Sequence, residues 1–366
     1  MTPFIESLGE CRYLSPLGRA GPGVVKFKTD RDQILCDDRA NDGLETGRLS
    51  QLPRAFEIAG PRERIYFDPE KTVAALVTCG GLSPGLNDVI RGIVMELWHG
   101  YHVCEILGIR YGFEGMVLKY GHHPLKLRPE AVSSIHSFGG TILGTSRGAQ
   151  KSDAMVDGLE ELGVDILFTI GGDGTLKGAS ALAAEIKRRG LRKSVIGIPK
   201  TIDNDIEYLD KSFGFETAFA KAVEAVSCAH VEAICAHNGN FLTTDSSATD
   251  ASGNKRLGDI GIFLRDKIIQ FFESRNIPIT LKYIDPSYAI RSVPASPQDN
   301  VYCSILAQNA VHAGMAGKTN MLVGRWHDSF VHIPLKLVTQ SRRKIDPEGD
   351  IWRFVLEATG QPPRML

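Results

Sequence analysis

Apolar and polar residues follow two rhythms along the chain. Val73–Thr78, Val103–Ile109, Asp165–Ile170 and Ser194–Ile198 are short, nearly continuous apolar runs, as expected of strands buried on both faces. Helical spacing fills the gaps between them. Val89, Ile90, Ile93, Val94, Leu97 and Trp98 share one face, and Leu176, Ala179, Leu182, Ala183 and Ile186 share another, with Gly190 as a stop. Strand–loop–helix–strand crossovers make parallel neighbours, so the pattern predicts an α/β fold. Further helices are predicted near Pro129–Ser137, from Lys211 to about Ala233, across Ile260–Phe272, over Asp299–Met315 and over Ile351–Ala358. Short strands are expected after Gly140, at Thr280–Ile284, at Met321–Val323 and at Phe330–Pro334. The first 67 residues are polar and lack a sustained period. They read as an extension on the main body, with Val24–Phe27 as a short strand.

The chemistry concentrates in two loops that follow neighbouring strands. The first, GGDGT, opens a helix. Gly171, Gly172 and Gly174 let the backbone approach a large anion, and the N–H groups at the start of that helix can point at phosphate oxygens. Asp173 would repel the phosphate unless a cation lay between, which makes it a Mg²⁺ ligand candidate. The second loop, PKTIDND, sets Lys200 and Thr201 just before Asp203 and Asp205. A carboxylate facing a phosphate donor can take the proton of an attacking hydroxyl. Each loop by itself also fits a plain turn with glycine geometry or Asx capping. Their placement at the same carboxyl edge of a parallel sheet favours the chemical reading.

Composition narrows the class. The 366 residues are 43% hydrophobic and 23% charged, with 42 Lys+Arg against 43 Asp+Glu. That length suits two domains, and the balance gives no basic stripe for nucleic acid and no acidic tail. The seven cysteines form no CxxC pair, which points to reduced thiols and no structural zinc. His230, His312 and His332 sit among apolar neighbours and read as core or surface histidines. The N-terminus carries Glu6 and Glu10 where a secretory signal needs an apolar core, and no run is long enough for a membrane helix. A cytoplasmic protein without membrane or nucleic-acid partners is expected.

GGDGT followed by PKTIDND resembles the 6-phosphofructokinase family. CGGLSPGLNDVIRG (Cys79–Gly92), GGTILGTSRG (Gly139–Gly148) and LKYIDPSYAIR (Leu281–Arg291) are similar to further blocks of that family, in the same order. With AGPRERIYF and DNVYCSILAQNAVHAGMAG, the pattern is closest to the plant-type, ATP-using branch. The resemblance implies an α/β protein of two doubly wound (Rossmann-like) domains. It implies an N-terminal extension over 1–66, an ATP-binding domain over 67–214 plus about 292–345, and a fructose 6-phosphate domain over 215–291 plus about 346–366. It also implies glycolytic phosphoryl transfer from ATP to the 1-hydroxyl of fructose 6-phosphate, with Mg²⁺, in an allosteric homotetramer.

Carried over residue by residue, the resemblance makes Asp203 the base and Asp173 the metal ligand. Gly81, Arg147, Gly148, Gly172, Gly174, Thr175 and Lys200 fall at the nucleotide. Thr201, Ile202, Asp203, Lys282, Tyr288, Ala289, Ile290 and Arg291 fall at the sugar phosphate. Tyr111–Gly115 is similar to the family's second glycine-rich loop. Glycine at 174 leaves room for the nucleotide α-phosphate, where pyrophosphate users carry an aspartate. Lys200 beside it is the combination of the plant and trypanosomatid ATP users.

The resemblance breaks after His237–Asn238–Gly239. A Ser/Thr/Asp-rich stretch follows, and the match resumes at Asp250–Lys255, so a block of the sugar-phosphate domain is missing near 239–250. Three expectations follow: a phosphofructokinase, a nucleotide-binding regulatory subunit assembled with full-length relatives, or another GGDGT kinase acting on NAD or diacylglycerol. The last group lacks PKTIDND and YIDPSYAIR.

Overall fold

The computed structural model describes residues 5–19, 25–36, 55–232, 260–278, 281 and 287–361. The junction expected near 239–250 lies outside them. The chain divides into two compact units, Met1–Phe219 with Arg291–Arg342, and Ala220–Ile290 with Arg343–Leu366.

In the first unit the strands are β1 Glu6–Ser7, β2 Tyr13–Leu14, β3 Gln33–Leu35, β4 Ala55–Ile58, β5 Arg64–Ile65, β6 Val73–Thr78 and β7 Glu105–Ile109. They continue with β8 Leu125–Lys126, β9 Ile166–Gly171, β10 Ser194–Pro199, β11 Lys318–Thr319, β12 Met321–Trp326 and β13 Ser329–Pro334. Nine of them form one sheet in the order β3-β4-β13-β12-β10-β9-β6-β7-β8. The five inner strands, β12, β10, β9, β6 and β7, run parallel. Antiparallel pairing adds β13, β4 and β3 at one edge and β8 at the other.

The apolar runs are buried on both faces, as their continuity requires. In β6, Ala74 and Leu76 join one core while Ala75 and Val77 join the other. The Leu86–Met95 and Pro297–Met315 helices cover the first face. The Ser152–Glu161 and Asp173–Arg188 helices cover the second. The first pair packs very closely: a Cβ placed on Gly92 would lie 2.6 Å from the Cβ of Ala307.

Several local expectations change. Residues 25–28 are irregular, so the strand expected at Val24–Phe27 does not form across the part of it that is described. Residues after Gly140 turn without making a strand. Pro129–Ser137 breaks into the helix Pro129–Val132 and a 3₁₀ turn at Ile135–Ser137. Most of the strand expected at Thr280–Ile284 lies outside the described residues. The N-terminal segment is also more than an extension, because β3 and β4 are members of the main sheet.

The second unit contains the helices Ile260–Glu273 and Asp350–Thr359. Among its described residues no side chain is buried; Ile351 and Phe354 are 70% and 69% exposed.

Candidate active site

Four loops meet at the carboxyl edge of β6, β9 and β10 because those strands are parallel and in register. Backbone hydrogen bonds stitch them together. The Cys79 amide donates to the Ile170 carbonyl (2.9 Å), the Gly80 amide to Ser146 (3.2 Å) and the Lys200 amide to Gly171 (3.0 Å). The Thr145 hydroxyl donates to the Gly80 carbonyl at 2.7 Å.

The Asp173–Arg188 helix starts without a side-chain cap, so the N–H groups of its first turn stay available to an anion. Its N-cap, Gly172, is extended, and a Cβ there would come within 3.3 Å of the Lys200 carbonyl. At Gly171 a Cβ would come 2.1 Å from Thr175 Oγ1, so only glycine permits this turn. Gly174, by contrast, has nothing within 4 Å of a Cβ, and neither does Gly148, which holds φ at +112°. Thr175 is buried, with its side chain packed against Gly171. Its side chain therefore braces the turn.

Three cations converge on the Gly80–Gly81 turn. A Cβ on Gly81 would lie 3.1 Å from Nη1 of Arg291 and 3.6 Å from Nη2 of Arg147. The buried Lys200 ammonium donates to the Gly81 carbonyl. Burial lowers the Lys200 pKa to about 8, and the nearby Arg291 and Arg147 charges push the same way, against Cys79 and Asp203. Nε of Arg291 is buried and has no hydrogen-bond partner among the described residues. A buried donor without an acceptor is costly, and an oxyanion held among these three cations would satisfy it.

The acidic side is ordered by its own loop. The Thr201 hydroxyl donates to Asp205 Oδ1 (2.9 Å) and accepts from the Asp203 amide (3.1 Å). Asn204 takes φ +51°, its Oδ1 accepts from the Ser212 amide, and the Ser212 hydroxyl donates to the Thr201 carbonyl. This lattice leaves Asp203 exposed at the loop tip and Ile202 half-buried behind it. Asp173 accepts from Lys177 (2.9 Å) and from Arg342 (3.0 Å).

Gly81, Arg147, Gly172, Asp173, Thr175, Lys200, Thr201, Asp203 and Arg291 therefore belong to one connected group of loops in the first unit. Tyr288, Ala289 and Ile290 lie in the short helix Ser287–Arg291, the first three positions of which after Ser287 fall in the second unit. Lys282 lies outside the described residues. Sequence reasoning missed Cys79, Ser212 and Arg342. Arg342 had a faint signal as the first of three adjacent basic residues, but nothing nearby in the sequence linked it to the loops.

Among the described residues no group of three His, Cys, Asp or Glu side chains stands ready to hold a metal. Mg²⁺ fits such a place when one carboxylate, water and substrate phosphates supply its ligands.

Architecture and cradle together define the class: an α/β protein with clustered cations at the carboxyl edge of a parallel sheet. The comparisons with known proteins specify it further. The profile of the family described as "Phosphofructokinase" matches residues 73–245. An ATP-dependent 6-phosphofructokinase of Borreliella burgdorferi is 40% identical, over 99% of this chain and 97% of that protein. ATP-dependent 6-phosphofructokinase 7 of Arabidopsis thaliana is 37% identical, over 84% of this chain and 77% of that protein. The chain belongs to the phosphofructokinase family.

The fold agrees with solved structures. A pyrophosphate-dependent phosphofructokinase from Marinobacter aquaeolei superposes with TM-score 0.61 at 15% identity, over 78% of this chain and 91% of that one. Pichia pastoris phosphofructokinase in the T-state superposes with TM-score 0.55 at 18% identity, over 75% of this chain and 36% of that one. At these identities the likeness speaks for the fold alone. The Borreliella alignment runs over 436 positions, at least 70 more than this chain has residues, so the relative carries segments with no counterpart here.

Proposed function

We propose that this chain is an ATP-dependent 6-phosphofructokinase that transfers the γ-phosphoryl group of ATP to the 1-hydroxyl of fructose 6-phosphate. The observation that carries this reading is the meeting of Lys200, Arg147 and Arg291 at the Gly80–Gly81 turn, on the sheet edge that also presents Asp173 and Asp203. ATP is favoured over pyrophosphate by the open space at Gly174 and by the names of the relatives.

The triphosphate lies over the uncapped helix start, with Arg147 and Gly148 beside it and Lys200 on the transferring group. Asp173 is the carboxylate that fits Mg²⁺, which when bound offsets charge on the phosphates. The sugar 1-oxygen attacks the γ-phosphorus while Asp203 accepts its proton. The new O–P bond forms as the bond to the β-phosphate oxygen breaks, and ADP leaves. Lys200 stabilises the charge on the moving phosphoryl group. Arg291 receives the sugar phosphate; for Lys282 and Tyr288–Ile290 that role stands as what the family resemblance implies. The family resemblance supports a place in glycolysis and in the cytoplasm, as a member of a homo-oligomer or of a mixed oligomer with full-length relatives. No helix among the described residues is long and apolar enough to cross a membrane.

The test is product formation by the purified chain with Mg·ATP and fructose 6-phosphate. Asp203→Asn should lower kcat by about 10²–10⁴-fold with little change in ATP affinity. A second reading rests on two observations, the positions absent relative to the Borreliella protein and the lack of buried side chains among the described residues of the second unit. In that reading the chain binds nucleotide without turnover. Tight Mg·ATP binding by calorimetry with no product would favour it over the enzyme.

A further inference from the structure

The segment after β13 contributes a side chain to the acidic half of the site. Arg342 is 169 residues away from Asp173, yet its Nη2 donates to Asp173 Oδ2 at 3.0 Å. Its Nη1 stands 4.0 Å from Asp205 Oδ2. One guanidinium thus spans carboxylates from both loops. The backbone sets this placement, because residue 342 forms an antiparallel bridge to Ile206, directly after Asp205.

We propose that Arg342 is a positioning residue that holds Asp173 and Asp205 in the orientation the metal–nucleotide complex requires; this rests on the phosphofructokinase reading above. Oδ2 of Asp173 accepts from two cations, Arg342 at 3.0 Å and Lys177 at 2.9 Å. Among the described residues Oδ1 takes no hydrogen bond, so one oxygen of the carboxylate is anchored and the other is left for a metal. Asp205 differs: Oδ1 is tied to Thr201 and Oδ2 faces Arg342, so both of its oxygens are engaged and it serves to fix the guanidinium between the two loops. Partners behind a ligating carboxylate commonly set metal affinity in this way.

Charge points in the same direction. A divalent cation on a triphosphate arrives as a net anion. Asp173, Asp203 and Asp205 would repel it without nearby compensation. Arg342 and Lys177 offset two of those charges while leaving a ligand oxygen free. An ordinary surface ion pair would tie the C-terminal segment down without affecting the metal.

Mn·ADP binding, followed by the enhancement of water-proton relaxation when the complex docks on the protein, separates these roles without using turnover. Arg342→Gln should weaken Mn·ADP binding by about 10–100-fold. Arg342→Lys, which keeps the charge but loses the fork, should fall between it and the native chain. Thermal unfolding reports whether each variant is folded. Binding within twofold of the native chain, in either folded variant, overturns the proposal. If Arg342→Gln does not fold, Arg342→Lys alone decides, with at least a threefold loss expected. Failure of the native chain to bind Mn·ADP would sink the phosphofructokinase reading as well, whereas native binding with insensitive variants sinks only the role of Arg342.

Discussion

Lys200 shows how burial and chemistry conflict in one side chain. Free lysine holds its proton up to about 10.5, whereas buried Lys200 releases it near 8. Between those values the unfolded chain binds more protons than the folded one. Stability should therefore rise with pH across that window, and below about 8 the cost of the buried charge is fully present. Lys200→Met should flatten the rise, as read from urea denaturation at pH 8 and pH 10. The same variant should lose the basic limb of the kcat/KM profile for ATP, which in the native chain falls above about pH 8 because only the ammonium form offsets phosphoryl charge. A limb that persists unchanged in Lys200→Met would assign it to another group. Lysine and its spacing to Asp203 were visible in the sequence. Its burial and its bond to the Gly81 carbonyl were not, since Gly81 belongs to another loop.

At the scale of an element, the β9–helix turn carries two glycines with opposite reasons for being there. Gly171 has no room for a side chain, with Thr175 Oγ1 2.1 Å from a Cβ position. Gly171→Ala should cost about 1–3 kcal/mol in denaturant unfolding, the scale of overpacking. Gly174 has ample room, and it sits in the first turn of a helix where an acidic residue is welcome. Gly174→Asp should therefore change stability by no more than about 0.5 kcal/mol. It should nonetheless weaken ATP binding at least tenfold, since a carboxylate would then face the phosphates (roughly 4 kcal/mol for unit charges 4 Å apart near a protein surface). Calorimetric titration with Mg·ATP checks the second effect. Unimpaired binding by Gly174→Asp would show that the triphosphate does not lie over this turn.

For the molecule as a whole, the N-terminal segment is locked to the main sheet through buried charge. Glu57 on β4 accepts from Arg62 at 2.6 Å and from His332 of β13 at 3.0 Å, with Lys318 at 3.2 Å. Burial alone would raise the Glu57 pKa, but His332, Lys318 and Arg62 outweigh it and bring it to about 2. His332 and His312 are both pushed down by burial, His312 to about 3. All three groups bind protons more readily when unfolded. Their contribution is complete above about 6.5, the unperturbed histidine value, and is lost as pH falls, first through the histidines and then between about 4.5 and 2 through Glu57. Thermal unfolding should show a midpoint that drops steadily below pH 6.5. Glu57→Gln leaves two buried cations short of a partner and should cost about 3 kcal/mol at pH 7, with a weaker acid dependence below pH 4.5. An unchanged midpoint in that variant would mean that Asp30, which also pairs with Arg62 and Lys318, compensates fully.

The sequence by itself determined what depends on neighbours in the chain. Apolar period, glycine placement and turn chemistry are local properties, so β6, β9, β10 and their helices were legible. Parallel crossovers then required that GGDGT and PKTIDND share one sheet edge. Tertiary structure alone decided what depends on distant pairing. The polar N-terminal segment became sheet because β13 offered β4 and β3 an edge, which no local period announces. Arg147 and Arg291 meet at Gly81 across long stretches of chain, and Arg342 reaches Asp173 across 169 residues. Such contacts arise only after the sheet has assembled, from the way its loops are brought together.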